Sequence, residues 1–111
     1  MEAPCGMDGL VDLSGLETML KKQPKGRKLI GSFSAGSNVS GIKSDVFGLA
    51  KTMKKYGGLC FFDYGAVGPY LPIDLSQILK DGRTLIDGVY ISPHKFLGGP
   101  GTCGVLIMSK Q

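Results

Sequence analysis

Apolar positions along the chain follow two different rhythms. Leu13, Leu16 and Leu20 share one helical face, and Ser14 with Glu17 spells a capping box at a helix start. Pro24 stops that run. Val46, Leu49, Ala50 and Met53 recur at i, i+3, i+4 and i+7, with Ser44 placed to cap this second helix and Gly57 just past its end. Elsewhere the apolar residues form short runs bounded by turn residues, which predict strands over Lys28 to Ser34, Leu59 to Asp63, Gly88 to Ser92 and Gly104 to Met108. The predicted order is helix, strand, helix, strand, irregular segment, strand, loop, strand. Strand, helix, strand with near-continuous apolar strands implies an α/β class built on a parallel sheet.

In such sheets ligands bind beyond the carboxyl ends of the strands. The first predicted strand runs into Ser34 to Asn38, the second into Asp63, and the third into Ser92, His94 and Lys95. Parallel neighbours bring these polar groups to one edge. Two readings of Asp63 stay open: a solvated strand end, or a carboxylate positioned for a cation. Lys95 stands between a strand and the run Gly98-Gly99-Pro100-Gly101. It is either an exposed cation or, if partly desolvated, a nucleophile and base.

Other chemistries lack their parts. His94 is the only histidine, and Cys5, Cys60 and Cys103 form no CxxC pair, so no metal site is expected. Ser92, His94 and Asp63 could be drawn as a triad, but the G-x-S-x-G elbow is missing. Gly99, Gly101 and Gly104 spell G-x-G-x-x-G, yet they lead into the apolar run Val105 to Met108, whereas the dinucleotide fingerprint opens a helix.

Composition narrows the class further. The 111 residues suffice for one domain with a modest core, and 42% hydrophobic with 20% charged residues fits a globular protein. The net charge of +4 comes largely from cations around the ends of the two predicted helices, Lys21, Lys22, Lys25, Arg27 and Lys28 following one and Lys51, Lys54 and Lys55 ending the other, where cations complement the helix dipole. No aromatic residues interleave with them, so nucleic acid is not an expected partner. Neither a signal peptide's apolar run nor a membrane span is visible, which predicts a soluble, cytoplasmic protein with reduced cysteines.

The segment Ser92-Pro93-His94-Lys95-Phe96-Leu97-Gly98-Gly99-Pro100-Gly101 resembles the cofactor-lysine signature of class V aminotransferases, roughly S-x-H-K-x-x-G-P-x-G. Asp63-Tyr64-Gly65-Ala66 is similar to the family's strand-end aspartate motif, and Ser37-Asn38-Val39-Ser40-Gly41 to its S-N-x-x-G turn. The three motifs stand in the family's order, and the resemblance runs from about Gly9 to Ser109.

The resemblance implies pyridoxal 5'-phosphate as cofactor. Lys95 would be its Schiff-base lysine and proton shuttle, and Asp63 would pair with the pyridine nitrogen. Ser92 and His94 would hold the phosphate and orient the lysine, and Asn38 would bond the ring's 3-oxygen. It implies an amino-acid or sulfur-amino-acid substrate, and a homodimer for the family's complete enzymes. Ala66 replaces the glutamine common in cysteine desulfurases, which argues against that chemistry. None of the three cysteines matches the desulfurase mobile-loop cysteine; Cys60 reads as strand packing and Cys103 as a structural residue between loop and strand.

The expected fold is therefore a partial fold-type-I large domain. It would have a mostly parallel sheet, helices on its faces and an antiparallel last strand, since the loop from Lys95 to Cys103 is too short for a parallel return. Residues 1–111 would form a single partial domain without the family's N-terminal phosphate loop or C-terminal small domain. The expected function is a pyridoxal-phosphate-dependent transferase; the alternatives are a catalytically silent fragment and a non-enzymatic anion-binding module.

Overall fold

The protein was analysed as a computed structural model, which describes residues 1–110. Helix α1 spans Leu13–Lys21 and α2 spans Val46–Lys55. Strands β1 (Ile30–Ser34), β2 (Leu59–Asp63), β3 (Gly88–Ile91) and β4 (Val105–Met108) form one sheet in the order β1-β2-β3-β4. β1 pairs with β2 and β2 with β3 in parallel; β4 runs antiparallel to β3. The expected class is the one observed, including the direction of the last strand.

Strand periodicity sorts the side chains onto two faces. Gly31, Phe33, Cys60, Phe62 and Val89 point to one face, where the rings of Phe33 and Phe62 lie 5.8 Å apart. Leu49, Ala50 and Met53 of α2 pack there, and Leu16 and Leu20 of α1 join the same core, lining a cavity with Gly31, Phe33 and Met53. Gly31 makes room for this layer: a Cβ on it would stand 3.1 Å from the Met53 methyl and 2.5 Å from the Phe33 ring. Both helices thus lie on one face, and the expectation of helices on the sheet's faces is met there. The other face presents Ile30, Leu59, Phe61, Asp63, Tyr90, Leu106 and Met108.

The helix starts differ from the expectation. Asp12, not Ser14, caps α1, its carboxylate accepting from the Ser14 N–H, and Asp45, not Ser44, caps α2 by accepting from the Gly48 N–H. Glu17 does not reach back as a capping-box partner; it bonds Lys55 at 2.6 Å and the Tyr56 hydroxyl at 2.8 Å. The Ser44 hydroxyl instead donates to the Ser34 carbonyl at 2.6 Å, tying the chain after the first strand back onto its end. Position decides this: α1 begins at Leu13 and α2 at Val46, so Asp12 and Asp45 stand at the N-caps, whereas Ser14 lies inside the first turn of α1 and Ser44 one residue ahead of the cap of α2.

Lys54 lies in the last turn of α2, as expected, but it is buried there. Its side chain is 3% exposed and bonds both oxygens of Asp87 at 2.7 Å.

Candidate functional site

The candidate residues gather at the carboxyl edge of the parallel strands. Ser34 and Asp63 are register partners, and Asp63 and Tyr90 are the next pair. Backbone bonds continue the ladder one step past this row: Ala35 N–H donates to Asp63 O at 2.9 Å, and Tyr64 N–H to Tyr90 O at 2.8 Å. The strand ends are therefore held together where the chemistry would lie.

Asp63 ends β2 on the face that carries no helix. Its Oδ1 accepts from the Gly65 N–H at 2.7 Å, while Oδ2 takes no hydrogen bond among the described residues. A Cβ at Gly65 would lie 2.9 Å from Asp63 Oδ1 and 3.0 Å from Ser92 Oγ, so the carboxylate and the hydroxyl flank the same glycine. Burial pushes the adjacent Tyr64 phenol up, with Asp74 adding to the effect.

Lys95 closes a single 3-10 turn, Pro93–Lys95, directly after β3. Its N–H donates to Ser92 O at 3.0 Å, and the Phe96 N–H to Pro93 O at 3.0 Å. Gly99 packs over this turn so closely that a Cβ there would meet Pro93 O at 2.0 Å. The side chain of Lys95 is exposed and has no carboxylate partner among the described residues. His94 sits on the same turn, also exposed and without a side-chain hydrogen bond.

Asn38 belongs to a tight loop after β1. There the Ser37 hydroxyl accepts from Val39 N–H and Ser40 N–H, both at 3.1 Å, and Gly41 supplies a φ of 72°. Asn38 and Lys95 line a common cavity of about 500 Å³, joined by Lys43, Ala66, Tyr70 and Leu71. Asp63, Ser92 and His94 are not among its lining residues. Thus the structure joins Asn38 to Lys95 and Asp63 to Ser92 at one sheet edge, with His94 on the connecting turn. Lys43, Tyr70 and Leu71 were not foreseen. Lys43 follows Asn38 in the same loop, which is the one local hint; Tyr70 and Leu71 reach the cavity through a turn that no periodicity marks.

This donor set fits pyridoxal phosphate. Lys95 offers a primary amine for the aldehyde, Asp63 a carboxylate for the ring nitrogen, Asn38 an amide for the ring oxygen, and Ser92 with His94 donors for the phosphate. The cysteines do not enter it. Burial, with the nearby Asp87 carboxylate, pushes the Cys60 thiol up to about 12, so it is an inert core residue, whereas Cys5 and Cys103 are exposed. Among the described residues no cluster of His, Cys, Asp and Glu could hold a metal, and no helix is long and apolar enough to cross a membrane.

A mostly parallel sheet with an antiparallel last strand in this order is the architecture of part of the large domain of fold-type-I pyridoxal-phosphate enzymes. Solved structures agree. A NifS-like protein from Rickettsia africae superposes with a TM-score of 0.74 at 30% identity, over 90% of this chain and 26% of its own. The cysteine desulfurase CsdA from Escherichia coli does so at 0.78 and 25%, over 98% and 25%. A cysteine desulfurase from Thermococcus onnurineus gives 0.75 and 25%, over 97% and 24%. The family model for class V aminotransferases matches residues 2–111. This chain belongs to the class V aminotransferase family. It spans about a quarter of the length of the structures it matches. No curated protein sequence matches it.

Proposed function

We propose that this chain is the cofactor-binding core of a pyridoxal-phosphate-dependent transferase acting on an amino acid. The observation that carries the reading is the convergence at one sheet edge of Lys95 and Asn38 on one cavity with Asp63 and Ser92 around Gly65. The cofactor, when bound, supplies an electron sink for the bond cleaved at the substrate's α-carbon.

Each residue then has a task that its surroundings support. The Lys95 amine is tied up in no ion pair among the described residues, so it is available to a carbonyl and to the α-proton. Asp63 keeps one oxygen in the Gly65 bond, which fixes the carboxylate's orientation, and offers the other to a protonated ring nitrogen. Ser92 and His94, on the chain leading to Lys95, hold the phosphate and thereby fix the distance between the lysine and the ring. Asn38 sits on a loop stiffened by Ser37 and orients the ring oxygen. Ala66 on the cavity wall stands where cysteine desulfurases commonly carry glutamine, which argues against sulfur transfer.

The test is chemical trapping. The purified chain is incubated with pyridoxal phosphate, reduced with borohydride, and the modified peptide mapped. Label on Lys95, lost in Lys95→Ala, is the expected result; label confined to other lysines overturns the reading. Transaminase turnover is measured beside it with free pyridoxal phosphate as baseline. Little excess is expected from these groups alone, because orienting the reactants can supply roughly 7–11 kcal/mol of a barrier and further contacts to the substrate are needed for that.

A further inference from the structure

We propose that Asp87, held by Lys54, is a positioning residue that pins the register of β3 and so fixes where Lys95 stands relative to Asp63. This inference rests on the reading of Lys95 and Asp63 given above. Asp87 immediately precedes β3, and Lys95 lies on the turn that follows it.

Five hydrogen bonds tie Asp87 to α2, to β2 and to the residue just past β4. Lys54 of α2 bonds both carboxylate oxygens at 2.7 Å. The Cys60 N–H of β2 donates to Oδ2 at 2.6 Å, and the Asp87 N–H returns a bond to Cys60 O at 2.9 Å. On the other side, the Ser109 N–H, just past β4, donates to Asp87 O at 2.9 Å. The two side chains are 3% and 4% exposed, so an unpaired charge in either place has no water to turn to.

The apolar pattern cannot set this register by itself. A slip of one residue would turn Tyr90 into the core and is excluded by the pleat. A slip of two residues keeps every face: Ile91 would replace Val89 beneath the helices. It would also carry Lys95 along the strand axis by about 6–7 Å, at ~3.3 Å per residue. A Lys95 amine displaced that far would no longer meet a ring held by Asp63. The same slip strips Asp87 of Lys54 and of the Cys60 N–H. The buried pair thus penalises the one misregister that side-chain polarity tolerates.

Two double variants separate the hydrogen-bond acceptor from the charge. Lys54→Met with Asp87→Asn removes both charges but leaves a carbonyl for the Cys60 N–H. Lys54→Met with Asp87→Leu removes the acceptor too. Register is read by cross-strand nuclear Overhauser contacts between Phe61 and Gly88 and between Asp63 and Tyr90, with no cofactor present. Lys95 geometry is read by the rate of borohydride-trapped pyridoxyl labelling. We expect the Asn pair to keep the contacts and to label within about twofold of the unmodified protein, and the Leu pair to lose or shift the contacts and label at least about tenfold more slowly.

Wild-type contacts and labelling in the Leu pair overturn the proposal. If the Leu pair does not fold, the Cys60 amide of the unmodified protein decides. Slow exchange that is kept in the Asn pair supports the pin; exchange as fast as an exposed amide refutes it. Failure of the unmodified chain to label at Lys95 refutes the cofactor reading instead, and leaves the register contacts to judge the pin.

Discussion

Two lysine–aspartate couples stand at opposite edges of the same sheet, and they are built for opposite purposes. At the edge where β3 begins, Lys54 and Asp87 are sealed together, both oxygens satisfied, both side chains out of water. At the edge where β2 and β3 end, Asp63 and Lys95 are exposed, and no ion pair joins them. Burial with a bidentate partner makes a charge into a structural joint. Exposure on a turn, with a cavity alongside, leaves a charge available to a third molecule. The sequence places a lysine and an aspartate near each pair of strand ends, so the difference lies in packing alone: α2 covers the first edge, and only loops surround the second.

The largest expected effect follows from that contrast. Lys54→Met leaves the Asp87 carboxylate buried without its cation and should destabilise the fold by roughly 3–5 kcal/mol. Lys95→Met, on the exposed turn, should change stability by no more than about 0.5 kcal/mol while removing the trapped cofactor label. Urea denaturation of the two variants reads both values. Equal losses would mean that Lys95 is also part of the structural frame, and the contrast between the edges would collapse.

A smaller effect probes how firmly the open edge is shaped. Gly99 sits where any side chain would strike the Pro93 carbonyl, since its Cβ would come within 2.0 Å. That oxygen is backbone and cannot swing away. Gly99→Ala should therefore cost roughly 1–3 kcal/mol by overpacking and shift the turn that carries His94 and Lys95. Thermal melting gives the stability loss, and slower labelling of Lys95 shows that the turn has moved. Unchanged labelling together with a lowered melting temperature would show that the loop yields without disturbing Lys95.

Much of this architecture was legible because strands and helices announce themselves locally. The runs Leu59 to Asp63 and Val105 to Met108 are continuous and short, and the motif at Leu49, Ala50 and Met53 is helical, so element types and the polar strand ends could be read directly. The convergence of Asp63 with Ser92 followed from parallel order. What was not legible depends on long-range packing. Lys54 looks like its solvated neighbours Lys51 and Lys55 until α2 is laid over β2. Ser14 and Ser44 are good caps by type, but Asp12 and Asp45 hold the N-cap positions, and an offset of one or two residues decides a cap. The cavity residues Tyr70 and Leu71 come from an irregular stretch whose path only the fold determines.

The smallest effect concerns a third charged group, Glu17, which lies between the two extremes. It joins α1 to the end of α2 through Lys55 at 2.6 Å and the Tyr56 hydroxyl at 2.8 Å, with Lys21 at 3.5 Å, all on the surface. The Lys55 and Tyr56 bonds hold its carboxyl down to about 2, from an ordinary 4.5. Lys55 shifts upward in turn, as its bond to Glu17 requires. A carboxyl whose folded value is depressed favours the fold only while it is ionised. Its contribution is therefore complete above about 4.5 and fades as the pH falls towards about 2. Solvent and salt screen an exposed cluster, so the effect at neutral pH should be slight and should shrink further in high salt. Glu17→Gln should lower the melting temperature slightly near neutrality, and the gap to the unmodified protein should close across that acid window. A gap that persists unchanged to the acid end would show that Glu17 acts through hydrogen bonds that its protonated carboxyl keeps and the amide does not, rather than through its charge. The surface cluster would then belong with the sealed Lys54–Asp87 couple as a structural joint, and charge alone would no longer distinguish the regions of this molecule.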